Sequence, residues 1–417
     1  MLFNSTPSPA IAKRAPSTRA QANKAKMIKA IVRNAADHGL DQLSIGQVAK
    51  RAGLTTGAIY GRYEDRDELA IELWHSVIKE PLRARLERGV EFMAANVRIS
   101  RTRDMTPLTN DELLALIISD FESPDEIAKI GAEFLVVARR DLAIGEVVIP
   151  EVSGWLTDLG LVNSQSAIDK AAIVIALSAS IGTALRAFVF KSNPSWYLIA
   201  DGLRSAAAAA QPTQQQADIE APHWTDPQTE NPVRTALIYA VAEVVAKSGY
   251  ANATISRIVR RAGLTNGSLY NLYADKEALT DDAMQIFLNL ASDVNRESNA
   301  RAETQLRIDR GLTDSFMLAF MPHRRQWLDF RLECLIASRD HLPTRRKFRQ
   351  SLERSRDNLA ATMPDLAQET INLLSSGEQA IGIGLTTLGP YTTLVQDGDY
   401  FSIMAKLSEQ NRLLNSK

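Results

Sequence analysis

The chain's 417 residues carry 48 Lys and Arg against 49 Asp and Glu, a net charge of -1, and are 45% hydrophobic and 23% charged. This describes an ordinary soluble globular protein with a sizeable core and roughly two to four domains; it excludes a globally basic protein but not a local basic patch. The one cysteine, Cys334, cannot form an intrachain disulfide and sits in an apolar helical-looking stretch as a packing residue, a usage that fits the cytoplasm.

Residues 13 to 33 hold seven Lys or Arg and no Asp or Glu, a basic run overlapping a leading arm at 1–23. Such a run tracks phosphates, enters a minor groove, or is a solvated tail. The opening residues lack the long apolar core of a secretory signal. From Lys26 to His38, apolar residues at three- and four-residue spacings predict a helix ending near Gly39. Ser44 then caps a short helix, with Gln47 placed to complete a capping box and Ile45, Val48 and Ala49 facing inward. Gly53 permits a tight exit, Thr55 caps the next helix, and Ile59 and Tyr63 pack inward. Residues 24–80 therefore read as a helix-turn-helix head.

Residues 81–206 show amphipathic helical patterns with almost no strand alternation. Their most hydrophobic interval, Ala171 to Phe190, is interrupted by Ser178, Ser180, Thr183 and Arg186. That predicts a buried helix at a domain or subunit contact, and no membrane partner. Residues 207–231, with Pro212, Pro222 and Pro227 among Ala, Gln and acidic residues, read as a linker.

The chain then repeats itself. TISRIVRRAGLTNGSLYNLYADKEAL at 254–279 aligns without a gap on SIGQVAKRAGLTTGAIYGRYEDRDEL at 44–69, 210 residues upstream, and RAGLT is identical in both. A second head at 232–286 follows, with Arg257 in place of the capping-box glutamine, which predicts a weaker cap. A second helical body occupies 287–417, with faint echoes of the first: FLVVARRD (134–141) against ECLIASRD (333–340), and ASIGTALRAF against QAIGIGLTTL. Duplication is the better reading. The fold class expected is all-α, with two tandem heads on two helical bodies.

A short helix of this kind enters the major groove while flanking residues hold phosphates. The groove-facing or backbone-contacting candidates are Thr55, Thr56, Ala58 and Tyr60 in the first head, and Thr265, Asn266, Ser268 and Tyr270 in the second. Asn266 is the best base reader, since its amide can pair with an adenine edge. Lys50, Arg51 and Arg66 match Arg260, Arg261 and Lys276, and Arg257 adds a cation. The basic stretch at 341–356, with Arg345, Arg346 and Lys347, is either a solvated face or a further DNA contact.

RAGLTTGAIYGRYEDRDEL and RAGLTNGSLYNLYADKEAL, each preceded by a first helix, resemble the N-terminal DNA-binding domain of the TetR family of bacterial regulators over about residues 24–80 and 232–286. The resemblance implies helical bodies that dimerise through C-terminal helices and often enclose a small-molecule cavity. It places Tyr60, Tyr270, Arg66 and Lys276 near DNA backbone. A position that is often histidine is Gly61 in one copy and Asn271 in the other, which makes unequal heads an expectation. With two heads on one chain, the simplest assembly is an intramolecular pseudo-dimer through 171–190 and 371–388. A homodimer of whole chains is the alternative.

The expected function is a ligand-responsive repressor acting on double-stranded operator DNA, with Phe134, Trp155, Phe316 and Trp327 as candidate walls for a small-molecule effector. A ligand-independent architectural or protein-interaction DNA-binding protein is the alternative. No Gly-rich phosphate loop, nucleophile motif or metal-ligand cluster speaks for an enzyme or a cofactor.

Overall fold

The computed structural model describes residues 18–94, 97, 108–163, 166–193, 195–212, 225–304, 313 and 316–415. All regular structure among them is helical. The first head comprises α1 (Thr18–His38), α2 (Ile45–Ala52), α3 (Thr56–Tyr60) and the start of α4 (Arg66–Leu73). Met27, Ile31, Val48, Ile59 and Leu69 close its core. Between α2 and α3 the chain must turn sharply, and Gly53 does so at φ 64° while its N–H returns to the Ala49 and Lys50 carbonyls. A side chain there would strain the left-handed backbone.

A wider turn, Trp74–Ile78, joins α4 to α5 (Lys79–Met93), making one path from head to body. Its π-helical winding follows from Pro81, which has no N–H to give the Val77 carbonyl. The first body continues with α6 (Asn110–Glu122), α7 (Glu126–Val137), α8 (Leu142–Asp158), α9 (Ala167–Arg186) and α10 (Trp196–Ala209).

The second half repeats this order. Its head is α11 (Pro232–Ser248), α12 (Ile255–Ala262), α13 (Asn266–Tyr270) and α14 (Lys276–Thr304); Asn231 caps α11, with Pro232 in the first turn, where a missing N–H costs nothing. The body adds α15 (Arg325–Ala337), α16 (Leu342–Thr362), α17 (Gln368–Leu388) and α18 (Tyr400–Asn415). Of the proline-rich segment read as a linker, 213–224 lies outside the described residues. Pro227 accepts a hydrogen bond from Tyr239 at 3.2 Å, and Asp226 accepts one from Trp327 at 3.3 Å, so 225–230 lies along the second half.

The two bodies join through α9 and α17, the stretches expected from sequence. The helices run antiparallel: Ser178 lies against Gly384, Gly182 against Ala380, and Arg186 donates to Gln379 at 3.2 Å. They touch backbone to backbone. A Cβ on Gly182 would fall 1.7 Å from the Ala380 carbonyl oxygen, and one on Gly384 would fall 1.9 Å from that of Ser178. By length and hydropathy (1.6) α9 could cross a membrane, but every residue from Ala171 to Arg186 is buried by protein, as a core helix requires.

A second contact lies where heads meet bodies. Arg140 of the first body pairs with Glu333 of the second at 2.6 Å, and Arg339 of the second pairs with Glu133 of the first. Arg140 also holds Asp41 of the first head at 2.8 Å, and Glu133 accepts from the Leu40 N–H at 2.8 Å. These groups are almost fully buried, so each charge depends on its partner. Beside them lies a polar crevice of about 490 Å³ lined by parts of both heads and both bodies.

Candidate nucleic-acid interface

The local chemistry sorts the residues of the two short helices by face. Thr55 caps α3 by accepting from Ala58 N at 3.2 Å, and Thr265 caps α13 by accepting from Ser268 N at 3.2 Å. With both ends pinned, Ile59 and Leu269 are fully buried, while Tyr60 and Tyr270 are 59% and 54% exposed. Thr56, Ala58 and Asn266 are also exposed, and Ser268 is half-buried. Tyr63 and Tyr273, three residues later, turn inward. Burial and an acidic neighbour push the Tyr63 phenol up to about 12, so it stays a neutral packing group.

The caps of α2 and α12 reverse the sequence expectation. Ser44 makes no side-chain cap bond, and Gln47 is taken by Asn34, whose amide donates to it while its oxygen accepts from Ser44 N at 3.2 Å. In the second head Thr254 does cap, accepting from Arg257 N at 3.3 Å. The cause is one residue on the first helix. Asn34 is buried and reaches the turn in the first head, but the matching position is Val244, which offers no hydrogen bond.

A cationic groove lies between the first two helices of each head. In the first head it is formed by Lys26, Lys29, Arg33 and Arg51, with Asp37 bound to Arg51 at 2.7 Å. In the second it is formed by Lys247, Arg257, Arg260 and Arg261, with Glu243 bound to Arg261 at 2.6 Å. Against the burial that would raise it, Lys247 and Arg261 hold the Glu243 carboxyl below its ordinary value. Lys50 and Arg260 are exposed at matching sites. Of the run read as a basic arm, 13–17 lies outside the described residues; 18–33 belongs to α1, and the spacing of Lys26, Lys29 and Arg33 on that helix was the signal for one groove wall.

Arg66 and Lys276 sit elsewhere. Arg66 pairs with Asp67, Asp141 and Asp41, and Lys276 donates to the Tyr250 carbonyl at 3.1 Å and lies over the Tyr250 ring. Arg66 fastens its head to the start of α8, whereas the Lys276 contacts stay within the second head. Sequence reading also passed over Arg62, exposed directly after α3, where the second head has the exposed Leu272. In the basic stretch at 341–356, Arg346, Arg349 and Arg354 are exposed; Arg345 binds the Ser338 carbonyl at 2.6 Å, and Arg349 crosses to the Val189 carbonyl of the first body at 2.9 Å.

The four candidate ligand-wall residues part company. Phe134 and Trp155 pack on Trp74 at 5.2 and 5.7 Å, buried in the first body. Phe316 lines a cavity of about 90 Å³ in the second body, and Trp327 stacks on Phe287 beside a smaller void. Cys334 is buried, and burial pushes its thiol up, as a packing residue requires. No group of metal-ligating side chains occurs among the described residues.

Comparison with known proteins places both heads. The model of bacterial regulatory proteins of the tetR family matches residues 27–73 and again 237–283. Among curated proteins, the HTH-type transcriptional regulators BetI of Pseudomonas aeruginosa and Pseudomonas paraeruginosa are each 31% identical over 104 residues, 23% of this chain and 52% of the relative. That of Ectopseudomonas mendocina is 31% identical over 124 residues, 28% of this chain and 60% of the relative. The chain thus spans little more than half the length of the curated relatives it matches. The helix-turn-helix region of the tetR family of bacterial regulatory proteins is thus matched twice, at the spacing of the internal repeat.

Proposed function

We propose that this chain is a sequence-specific transcriptional regulator of the cytoplasm, a ligand-responsive repressor whose two nonidentical heads read one double-stranded operator. The observation that carries this reading occurs in each half of one chain: a capped short helix with an exposed tyrosine, in a head whose first two helices line a groove of four cations. Phosphate contacts from such grooves supply affinity and register, and the outward side chains supply base preference. The buried cross-body pairs and the α9–α17 contact support one chain acting as a pseudo-dimer.

Unequal readers imply an unequal site. Thr56 stands opposite Asn266, Ala58 opposite Ser268, Gly61 opposite Asn271 and Arg62 opposite Leu272, so the half-sites need not match. A ligand preferring a body geometry in which the heads are mis-spaced lowers DNA affinity by shifting that population. Selection from random duplexes with the intact chain, repeated with Arg51→Ala and Arg261→Ala, tests the reading. An enriched bipartite site with dissimilar halves is expected, each variant lowering the salt dependence by about one phosphate contact. Absence of enrichment, or a perfect palindrome weakened equally by both variants, contradicts it.

A further inference from the structure

The cavity beside Phe316 lies between α14, α15, α16 and α17, and its wall carries two arginines, Arg324 and Arg331. Arg324 is 5% exposed and donates to the Leu318 carbonyl at 2.9 Å. Arg331 buries its Nε with no hydrogen-bond partner, a costly arrangement for a charged group. Burial lowers both guanidinium pKa values, and Arg331 adds repulsion that helps bring Arg324 to about 9. Among the described lining residues Glu378 is the acid beside the two arginines, and most of the others are apolar.

We propose that the second body alone binds a small carboxylate, its acid group against Arg331 and Arg324 and its apolar part against Phe316, Leu328, Leu352 and Ile383. This rests on the ligand-responsive reading above and adds to it the ligand's charge, its size and its number per chain. A charge-assisted bond to the Nε of Arg331 satisfies the buried donor. A cavity of about 90 Å³ fits a chain of a few carbons, since an apolar cavity of roughly 150 Å³ holds benzene.

The first body has no cation at the two matching positions. In the register that sets FLVVARRD on ECLIASRD, Arg331 falls on Ala132 and Arg324 on Asp125, which caps α7 by accepting from Ala128 N at 2.7 Å. Trp74, Phe134 and Trp155 pack together there. The occupant therefore touches the second half first. Leu288 and Ala291 in the wall belong to α14, which begins at Lys276 directly behind the second reading helix, and Gln379, Gly382 and Thr386 belong to α17 at the body contact.

Calorimetry of the intact chain with butyrate, and with butyramide and butylamine as neutral and cationic matches, is the test. One butyrate per chain is expected, with neither control binding. Arg331→Met is expected to weaken butyrate at least about tenfold, and Arg331→Lys less, because the charge survives. Butyrate should also raise the melting temperature of the native chain and leave that of Arg331→Met unmoved; should Arg331→Met not fold, the Arg324→Met and Arg331→Lys titrations carry the same comparison. Two butyrates per chain, equal binding of butyramide, or affinity indifferent to these substitutions overturns the proposal. Measuring operator affinity alongside separates the two claims. Arg331-dependent butyrate binding that leaves DNA affinity unchanged upholds the site and refutes ligand-responsive repression; DNA release by a neutral or cationic ligand, undiminished in Arg331→Met, upholds ligand response and refutes the carboxylate site.

Discussion

The two heads keep one backbone and change the residues on it, whereas the two bodies keep one helix order and change what lies inside. In the heads Gly53 and Gly263 turn at φ 64° and 69°, Thr55 and Thr265 cap alike, and Ile59 and Leu269 fill the same hole. Even the brace under each head recurs: Lys24 pairs with Glu72 at 3.1 Å, and Arg234 with Asp282 at 2.7 Å. In the bodies the first has a packed Trp74–Phe134–Trp155 cluster, where the second has a cavity walled by Arg324 and Arg331. The outward residues of a head are constrained only by what they read, so they diverge without disturbing the fold. An interior diverges only by repacking, which moves helices and erases sequence register.

Substitutions can break this comparison at points of decreasing force. The largest effect is expected at the junction, where Arg140→Met strands Glu333 and Asp41 without their shared cation. A loss of about 3–5 kcal/mol in urea unfolding is expected, as for other broken buried pairs. Adding Glu333→Leu should recover part of it. A loss below about 1 kcal/mol would mean that the crossed pairs do not hold the bodies together.

Next comes the close approach of α9 and α17. Gly182→Ala puts a methyl onto the Ala380 carbonyl and is expected to cost about 1–3 kcal/mol or more. Gly382→Ala, on the same crossing but with nothing within 4 Å of its Cβ, should be neutral or slightly stabilising by helix propensity. Equal melting temperatures for the two variants would remove backbone contact as the basis of the pseudo-dimer.

Sharper but smaller is the contrast between the heads themselves. Asn266→Ala should relax base preference at one position of one half-site by about 1–3 kcal/mol, while Thr56→Ala alters the other half-site alone. Footprinting over both half-sites reads this, and matched losses on both sides would speak against separate readers.

The smallest effect is in acid. Against the burial that would raise it, hydrogen bonds from Arg234 and Tyr273 hold the Asp282 carboxyl below its ordinary value. The brace therefore contributes fully above about pH 4, the unfolded value, and is lost as pH falls through the lower folded value. Hydrogen exchange should show α11 losing protection over that acid range, and Asp282→Asn should abolish this pH dependence. Unchanged α11 protection down to pH 2 would argue against the brace.

Much of this was legible before any coordinates, and the misses share a cause. The RAGLT repeat, turn glycines and inward apolar residues are set within a few residues of one another, so local rules reach them. The cap of α2 was misread because Asn34 comes from ten residues away and intercepts Gln47. Local rules also could not place Asp141, 75 residues downstream, against Arg66. Lys26, Lys29 and Arg33 were visible as charge, but their role as a groove wall depends on where α1 packs against α2. Arg324 and Arg331 carried no motif at all; their significance arises from burial, which composition does not report.

The central claim is that one chain supplies both heads to one operator. Native mass measurement of the complex, on the duplex recovered by site selection, tests it most directly. One 45.9 kDa chain per duplex, with both half-sites protected in the same complex, is the result predicted. Two chains required per duplex, or one chain protecting a single half-site, would contradict it.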